Sequence, residues 1–171
     1  MAVLPIRKYG DEVLRRPTEP VTSFDETLQK LIDDMVETMH AAPGVGLAAN
    51  QVGINRRLAV IDLSAGKRPG EVHVLINPEI LDVEGRIADV EGCLSIPDMT
   101  ETVARAGRVR ARFLDRNGEP RELTGEGLMA RALSHEIDHL NGKLFVDHLR
   151  GFKRDRILKR IQKLVKAGMW S

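Results

Sequence analysis

The stretch His135-Glu136-Ile137-Asp138-His139 contains two histidines four residues apart, with a glutamate directly after the first. On a helix the two imidazoles share one face and can bind one divalent metal ion. Glu136 then lies close enough to accept a proton from a metal-bound water. The stretch therefore predicts a helix that carries a hydrolytic metal centre. The alternative is an ordinary helix with two partly exposed histidines and a surface glutamate.

A catalytic metal site typically has three protein ligands and one open position, so a third ligand must lie elsewhere in the chain. Phe145 stands where one extended motif would have a third histidine, and no glutamate follows Ile137. Asp147 and His148 remain downstream, and the single cysteine, Cys93, lies upstream. We expect Cys93 to be the third ligand.

Cys93 lies in the segment Val90-Glu91-Gly92-Cys93-Leu94-Ser95-Ile96-Pro97, with a glycine before the thiol and a proline four residues after it. Such a segment bends away from regular strand pairing. The sulfur can then point at a helix, and the Leu94 backbone N–H can face the same cavity as a donor to an oxyanion. The alternative is that Cys93 is a small buried core residue.

A third segment, Gly44-Val45-Gly46-Leu47-Ala48-Ala49-Asn50-Gln51, combines two glycines and two alanines with a long amide side chain. Small residues leave room for the main chain of a ligand. The spacing matches neither the G-x-G-x-x-G nucleotide motif nor a phosphate-binding loop. The alternative is a tight loop between two elements.

Together these segments resemble the peptide deformylase family. GVGLAANQ, EGCLS and HEIDH are similar to its three signature motifs in order and spacing, and residues 6–15 and the basic tail are also similar. Gly10 stands where proline is common in the family, and Ser134 where glutamine often precedes the metal motif. The resemblance implies removal of the N-formyl group from the initiator methionine of new bacterial polypeptides, with release of formate.

The resemblance and the side-chain chemistry assign a role to each residue. Three residues would bind the metal and leave the fourth position to water: Cys93, His135 and His139. The metal would lower the pKa of this water, which acts as the nucleophile, and Glu136 would accept its proton and return it to the leaving amine. The resemblance places two donors at the oxyanion, the Gln51 amide and the Leu94 N–H.

The substrate methionine needs an unbranched apolar slot, and a cramped pocket beside the metal can exclude acetylated or internal amides. The candidates for the slot come from the predicted helix and the two loops: Leu128, Ala132, Val45 and Val90. The alternative is that these are plain core residues. Three further residues would present backbone groups to the extended peptide, as an added strand pairs with a sheet edge: Gly46, Glu91 and Gly92.

A Cys-His-His site suits zinc, iron(II), cobalt and nickel, so the ligands do not determine the metal. The resemblance implies one iron(II) ion in the bacterial cell, whereas zinc, nickel or cobalt can occupy the isolated protein. A thiolate on iron(II) would make the site sensitive to oxygen. Zinc-loaded protein would then be stable but slow.

The composition is that of an ordinary globular enzyme. The 171 residues are 42% hydrophobic and 30% charged, and the net charge is +1. They predict a single catalytic domain over residues 1–171, neither disordered nor attracted to polyanions as a whole. One cysteine allows no intrachain disulfide, the first residues lack the charged and apolar regions typical of a signal peptide, and no apolar run is long enough to span a membrane. We therefore expect a cytoplasmic monomer that binds formyl-Met nascent peptides and neither DNA nor a membrane.

The predicted fold is α+β, with a metal-bearing central helix packed among antiparallel β-sheets, an N-terminal helix and a C-terminal helix. Ser23-Phe24-Asp25-Glu26 resembles a capping box, and apolar residues at helical spacing follow from 28 to 39. Residues 58–63, 72–76 and 109–114 favour strands, and 115–118 are typical of a hairpin turn.

Two further helices are predicted. The metal-bearing helix should begin near Gly125 or Glu126 and end at Asn141-Gly142. Its predicted buried residues are Leu128, Leu133, Ile137 and Leu140. The last helix should span residues 152–167 and is strongly basic. This basic surface predicts either a solvated face or a contact with ribosomal RNA near the emerging chain.

Two other functions compete with deformylation. A different metallohydrolase, such as a peptidase, would cleave internal or unformylated amides. A metal-binding or RNA-binding module without catalysis would have a closed site with four protein ligands, for which His148 is the candidate fourth. His40 and His73 have no predicted role.

Overall fold

The computed structural model describes residues 2–170. The helices are α1 (Glu26–Ala41), α2 (Leu128–Leu140) and α3 (Phe152–Lys166), and short 3-10 helices lie at Glu12–Arg15, Ala49–Val52 and Phe145–His148. The strands are β1 (Gly46–Ala48), β2 (Leu58–Ile61), β3 (His73–Glu84), β4 (Ile87–Cys93), β5 (Ile96–Arg105), β6 (Arg108–Leu114) and β7 (Pro120–Glu126). Among these residues, no helix combines the length and apolar character needed to cross a bilayer.

The strands form two antiparallel sheets. Five strands pair in the order β1-β2-β3-β6-β7, and β4 and β5 form a separate hairpin. The long strand β3 bends where its pairing with β6 shifts between Ile76 and Glu79, next to Asn77, which has a positive φ of 52°. This arrangement confirms the predicted α+β class.

Helix α2 lies between the two sheets. Its residues Ala130 and Leu133 pack with Ile61, Leu75 and Val109 of the large sheet. Buried side chains of α1 form a second cluster with β1, β2 and β3, and α3 buries Ile157 and Ile161 against the β5 and Phe145–His148 segments. Helix α2, the predicted metal-bearing helix, is therefore central, as predicted.

The helix ends differ in part from the predictions. Asp25, not Ser23, caps α1, because its carboxylate accepts the Leu28 N–H at 3.0 Å. Helix α2 begins at Leu128, after a strand that pairs with β6 up to Glu126 and a turn at Gly127 with φ of 57°. The predicted start near Gly125 or Glu126 is therefore wrong.

The prediction that Leu128 is buried is also wrong, since its side chain is 54% exposed on the first turn of α2. The other predicted buried residues of this helix are buried: Leu133, Ile137 and Leu140. The predicted end at Asn141-Gly142 agrees with the structure, where Gly142 has a positive φ of 78°. Helix α3 ends one residue earlier than predicted.

The three predicted strands correspond to β2, to the first residues of β3, and to β6. The predicted turn joins β6 to β7, where the Asp115 carboxylate accepts the backbone N–H groups of Asn117 and Glu119. The full length of β3, the hairpin of β4 and β5, and β7 were not predicted.

Candidate active site

Two elements bring three metal-binding side chains together. Helix α2 places His135 and His139 on one face, and β4 ends at Cys93 beside them. The Cys93 Sγ lies 3.3 Å from His139 Nε2, which lies 3.1 Å from His135 Nε2. Among residues 2–170, these three form the one cluster of cysteine, histidine and carboxylate ligand atoms that lies within 4.8 Å.

Cys93 reaches this position because the hairpin is irregular there. The register of β4 against β5 shifts between Gly92 and Cys93, so Gly92 lies opposite Thr100 but Cys93 lies opposite Ile96. The predicted bend of this segment agrees with the structure. The shift leaves the thiol directed at α2 and places Leu94 in the tight turn that follows.

The two histidines differ in their surroundings. His135 Nδ1 lies 2.7 Å from the Glu91 carboxylate and donates to it, so the ring is oriented with Nε2 directed at the cluster. Burial, and then the charge of His135, lower the pKa of His139 well below 6.5 and keep its ring neutral. Burial opposes protonation of His135, but the charge of Glu136 and hydrogen bonds to Cys93 and Glu91 outweigh it and raise the pKa of His135.

The two ring nitrogens lie 3.1 Å apart with the Cys93 sulfur beside them, so three metal-ligating atoms converge on one point. A divalent cation with tetrahedral preference accepts such a set and keeps a fourth position for a small ligand. The donor chemistry of Cys93, His135 and His139 therefore fits a catalytic metal ion.

Glu136 is buried beside the cluster, and its Oε2 lies 4.0 Å from His135 Nε2. The other carboxylate oxygen, Oε1, has no hydrogen-bond partner. Burial, with the negative charge of Glu91 adding to it, raises the pKa of Glu136 to about 7 despite the opposing charge of His135. A carboxyl group with this pKa can both accept and donate a proton near neutral pH.

Gln51 presents its amide N–H group to the same space. The Ala48 backbone N–H donates to Gln51 Oε1 at 2.9 Å, which fixes the orientation of the amide. Gln51 Nε2 then donates to Ser95 Oγ at 3.1 Å and lies 3.6 Å from Cys93 Sγ. The amide donor thus points at the metal-binding cluster.

A cavity of about 640 Å³ opens onto this cluster. All the predicted substrate-binding residues line it: Val45, Gly46, Val90, Glu91, Gly92, Leu128 and Ala132. Val90 and Leu128 are mostly exposed at its rim, whereas Ala132 is only 5% exposed. Five other predicted site residues also line this cavity: Gln51, Cys93, Leu94, His135 and Glu136.

The sequence did not indicate the role of the Glu91 side chain. This carboxylate is buried, binds His135 Nδ1 through Oε2, and pairs with Arg105 through both oxygens. Burial opposes its ionisation, but hydrogen bonds from His135 and Arg105 lower its pKa far below 4.5. One signal was available, because residues 91 and 93 point to the same face of a strand. Nothing in the sequence identified Arg105.

The other candidate ligands lie outside the cluster. His148 Nε2 binds the Asp138 carboxylate at 2.7 Å, and Asp147 pairs with Arg15 at 2.6 Å. The four-ligand closed site that would use His148 is therefore contradicted. His40 Nε2 lies 2.7 Å from the Asp62 carboxylate and is not part of the cluster.

Comparison with known proteins gives a consistent result. The family model described as polypeptide deformylase matches residues 3–155. The peptide deformylase of Acidobacterium capsulatum is 53% identical over 99% of this chain and 100% of its own length. That of Alkalilimnicola ehrlichii is 54% identical over 98% of this chain and 94% of its own.

Solved structures agree in fold. A peptide deformylase from Legionella pneumophila superposes with a TM-score of 0.92 at 48% identity, covering 99% of both chains. A peptide deformylase from Synechococcus elongatus in complex with actinonin gives a TM-score of 0.88 at 43% identity, covering 92% of this chain and 86% of its own. The match spans all three motif segments, so this chain belongs to the peptide deformylase family, whose members are metal-dependent enzymes that remove N-formyl groups from nascent peptides.

Proposed function

We propose that this chain hydrolyses the N-formyl group of formyl-Met nascent peptides in the cavity beside α2, releasing formate. The observation that supports this most directly is the cluster of Cys93, His135 and His139 next to the buried carboxylate of Glu136. We assign the activity to a single catalytic domain over residues 1–171.

The three clustered side chains would hold one divalent metal ion. When bound, the metal supplies a Lewis acid and lowers the pKa of a water, from about 16 toward 7 in favourable sites. The protein provides the remaining chemistry through Glu136, Gln51 and the backbone at Leu94.

Glu136 moves the proton. Its carboxylate accepts a proton from the attacking water and then donates it to the departing amine of the methionine. The pKa of about 7 supports both steps, because the carboxylate and carboxylic acid forms are then close in free energy near neutral pH. Its Oε1 has no other hydrogen bond to break.

Two donors stabilise the negative charge that develops on the formyl oxygen. The first is Gln51 Nε2, whose direction is fixed by the bond from the Ala48 N–H to Gln51 Oε1. The second is the backbone N–H of Leu94 in the turn after Cys93. Such a donor typically lowers the barrier by about 3 kcal/mol.

The substrate peptide lies along the cavity. Backbone groups of Gly46, Glu91 and Gly92 pair with its main chain, as a strand added to a sheet edge does. The methionine side chain contacts apolar residues of the cavity wall: Val45, Val90, Leu128 and Ala132. Because a formyl group carries only hydrogen on its carbonyl carbon, a crowded space beside Glu136 excludes acetyl groups and internal amides.

Iron(II) is the metal that we propose for the cell, with zinc, nickel or cobalt replacing it during isolation. With a cysteine thiolate as ligand, the iron(II) form should be oxidised in air, whereas the zinc form should be stable but slower. Equal turnover by zinc-loaded protein and by anaerobically prepared iron(II) protein would contradict this proposal.

We also propose that the protein is a cytoplasmic monomer whose α3 contacts ribosomal RNA, and that it binds neither DNA nor a membrane. The exposed side chains of α3 include Lys159, Arg160, Lys163 and Lys166, whereas Ile157 and Ile161 anchor the helix to the core. Replacing these four exposed residues by glutamine preserves the two anchoring isoleucines. Deformylation should therefore persist, while co-sedimentation of the protein with ribosomes is lost. Unchanged co-sedimentation would exclude the contact.

The decisive experiment measures formate release from an N-formyl-Met peptide by anaerobic iron(II) protein. N-acetyl-Met and unformylated peptides of the same sequence are the substrate controls, and Glu136→Ala is the enzyme control. We expect rapid release from the formyl peptide by the parent protein alone. Cleavage of the unformylated peptide would instead indicate a peptidase, and no release with any metal would leave a metal-binding protein without this activity.

A further inference from the structure

The metal-binding cluster is assembled from two elements that do not pair through their backbones. Helix α2 carries both histidines, and β4 carries Cys93. Within residues 2–170, β4 pairs with β5 alone and is not part of the large sheet. Side chains that join the hairpin to α2 therefore contribute to the position of Cys93 relative to the histidines.

Successive turns of α2 contact the hairpin in order. Residues 131, 135 and 139 are four apart and share one face of the helix. His139 lies against Cys93, and His135 binds Glu91. One turn earlier, Arg131 Nη1 donates to Glu91 Oε1 at 2.9 Å. Glu91 is thus held from two turns of the same helix.

Arg131 also binds the backbone of both hairpin strands. Its Nη1 donates to the Val103 carbonyl of β5 at 2.9 Å, and its Nη2 donates to the Ile87 carbonyl of β4 at 2.8 Å. The residue is 8% exposed. Because a guanidinium group is planar and rigid, these three acceptors fix the hairpin in both distance and orientation.

Charge balance gives Arg131 a second function. The buried Glu91 is paired with Arg105 of β5 and with Arg131, and Arg105 also binds Asp138 of α2 at 2.6 Å. Two carboxylates and two guanidinium groups thus form one network, and His135 and His148 also bind its carboxylates. Loss of Arg131 would remove one of the two guanidinium partners of the buried Glu91 carboxylate, which is costly in a buried site.

We propose that Arg131 is a positioning residue that fixes the hairpin of β4 and β5 on α2 and so holds Cys93 and Glu91 in register with His139 and His135. The effect on turnover rests on the proposed deformylase function. The effect on metal retention and on the hairpin does not, so the two can be tested separately.

The test compares the zinc-loaded parent with Arg131→Met, which keeps the length of the aliphatic chain and removes the donors. Zinc release to a chromophoric chelator should become about 10- to 100-fold faster, as for other residues that orient metal ligands. Amide hydrogen exchange should increase across residues 87–105 and stay unchanged in β2. With iron(II), kcat for a formyl-Met peptide should fall more than KM rises.

Two control variants separate positioning from a general loss of stability. Ile32→Val weakens the α1 core, which contains none of the three metal-binding residues, and Arg116→Met removes a surface pair with Asp33. Both should release zinc at the parent rate. Equal acceleration in Ile32→Val, or release by Arg131→Met within twofold of the parent, would overturn the proposal.

A further variant covers the case in which Arg131→Met does not fold. Arg131→Lys keeps the charge but lacks the planar fork, so zinc release at least threefold faster than the parent would support positioning by geometry. Suppose that Arg131→Met does not fold and that folded Arg131→Lys releases zinc at the parent rate. This result would show that only the charge is needed and would overturn the geometric role. If the parent retains zinc but releases no formate from a formyl peptide, the proposed function fails. The zinc-release and hydrogen-exchange results would still decide the role of Arg131.

Discussion

Gly46 in β1 packs directly against the carboxylate of Glu136. A Cβ atom added at position 46 would lie 2.9 Å from Glu136 Cδ and would overlap Glu136 Oε2. Glycine is required here because the backbone of β1 approaches the buried carboxylate, not because of an unusual φ angle. The glycine of one motif therefore fixes the position of the proposed base in another.

Gly46→Ala should displace Glu136 and lower kcat by about 10- to 100-fold, because general base catalysis depends on its position. Metal content should stay at that of the parent, since the cluster itself does not touch residue 46. Gly44→Ala is the matched control, because its Cβ would meet only the flexible end of the Leu94 side chain. Steady-state kinetics and metal analysis of both variants check the prediction, and parent-like kcat in Gly46→Ala would refute it.

Gln51→Ala should lower kcat by about 10²- to 10³-fold with little change in KM, since an oxyanion donor acts mainly in the transition state. Ser95→Ala serves as the control. The Ser95 hydroxyl accepts from Gln51 Nε2, but the bond from the Ala48 N–H still orients the amide. Ser95→Ala should therefore retain most activity. A large rise in KM for Gln51→Ala with unchanged kcat would assign it to substrate binding instead.

The central helix and its two metal-binding histidines could be predicted because the spacing of His135 and His139 permits one geometry on a helix. Cys93 was predicted by elimination among the remaining candidate ligands and by the family resemblance. The start of the helix could not be predicted. Residues 120–126 form β7 because they pair with β6 along their whole length, a long-range effect that outweighs the local sequence. Leu128 consequently begins the helix at the rim of the cavity and is exposed.

The hairpin of β4 and β5 was also missed, for a related reason. Most β4 residues are exposed, so β4 lacks the alternation of apolar and polar residues that marks a half-buried strand. The buried carboxylate of Glu91 was therefore assigned only through its backbone. Its partners Arg105 and Arg131 come from separate elements, and a single sequence does not show which distant charges pair.

Removal of the metal should destabilise the protein. A metal at 100 times its Kd stabilises the folded state by about 2.7 kcal/mol, which corresponds to roughly 5–10 °C in Tm for a chain of this size. Treatment with a chelator should produce this decrease, and added metal should reverse it. Cys93→Ser should bind metal weakly and show little chelator-dependent change. An equal chelator effect in Cys93→Ser would argue against Cys93 as a ligand.

Ala132→Trp should raise KM for formyl-Met peptides far more than it lowers stability. Ala132 is 5% exposed and lines the cavity next to the cluster, so an indole ring there would occupy the proposed methionine space. Val83→Trp is the control, because Val83 is 53% exposed on β3 and does not line the cavity. Peptide kinetics and thermal unfolding of both variants check this. Unchanged KM in Ala132→Trp would remove Ala132 from the pocket.

Asp62, which is not one of the metal-binding residues, should make stability depend on pH. Its fully buried carboxylate binds His40 Nε2 and accepts from the Ser64 hydroxyl at 2.6 Å and the backbone N–H groups of Ser64 and Gly66. Burial opposes ionisation, but the bonds from Ser64 and His40 outweigh it and lower the pKa of Asp62 below 3.8. The folded state thus favours the carboxylate, so this stability is present above about pH 4 and is lost as pH falls through the lower folded pKa.

Asp62→Asn should therefore cost about 1–3 kcal/mol in the free energy of unfolding at pH 7, because it removes charge-assisted hydrogen bonds. The difference from the parent should shrink as the pH falls below 3.8, where the unfolded parent already binds the proton. Urea unfolding of the metal-free proteins at several pH values measures this difference without a contribution from metal loss. The exposed Asp155→Asn variant should match the parent throughout. A difference for Asp62→Asn that stays constant from pH 7 to pH 3 would show that the cost comes from packing of the loop and not from the carboxylate charge.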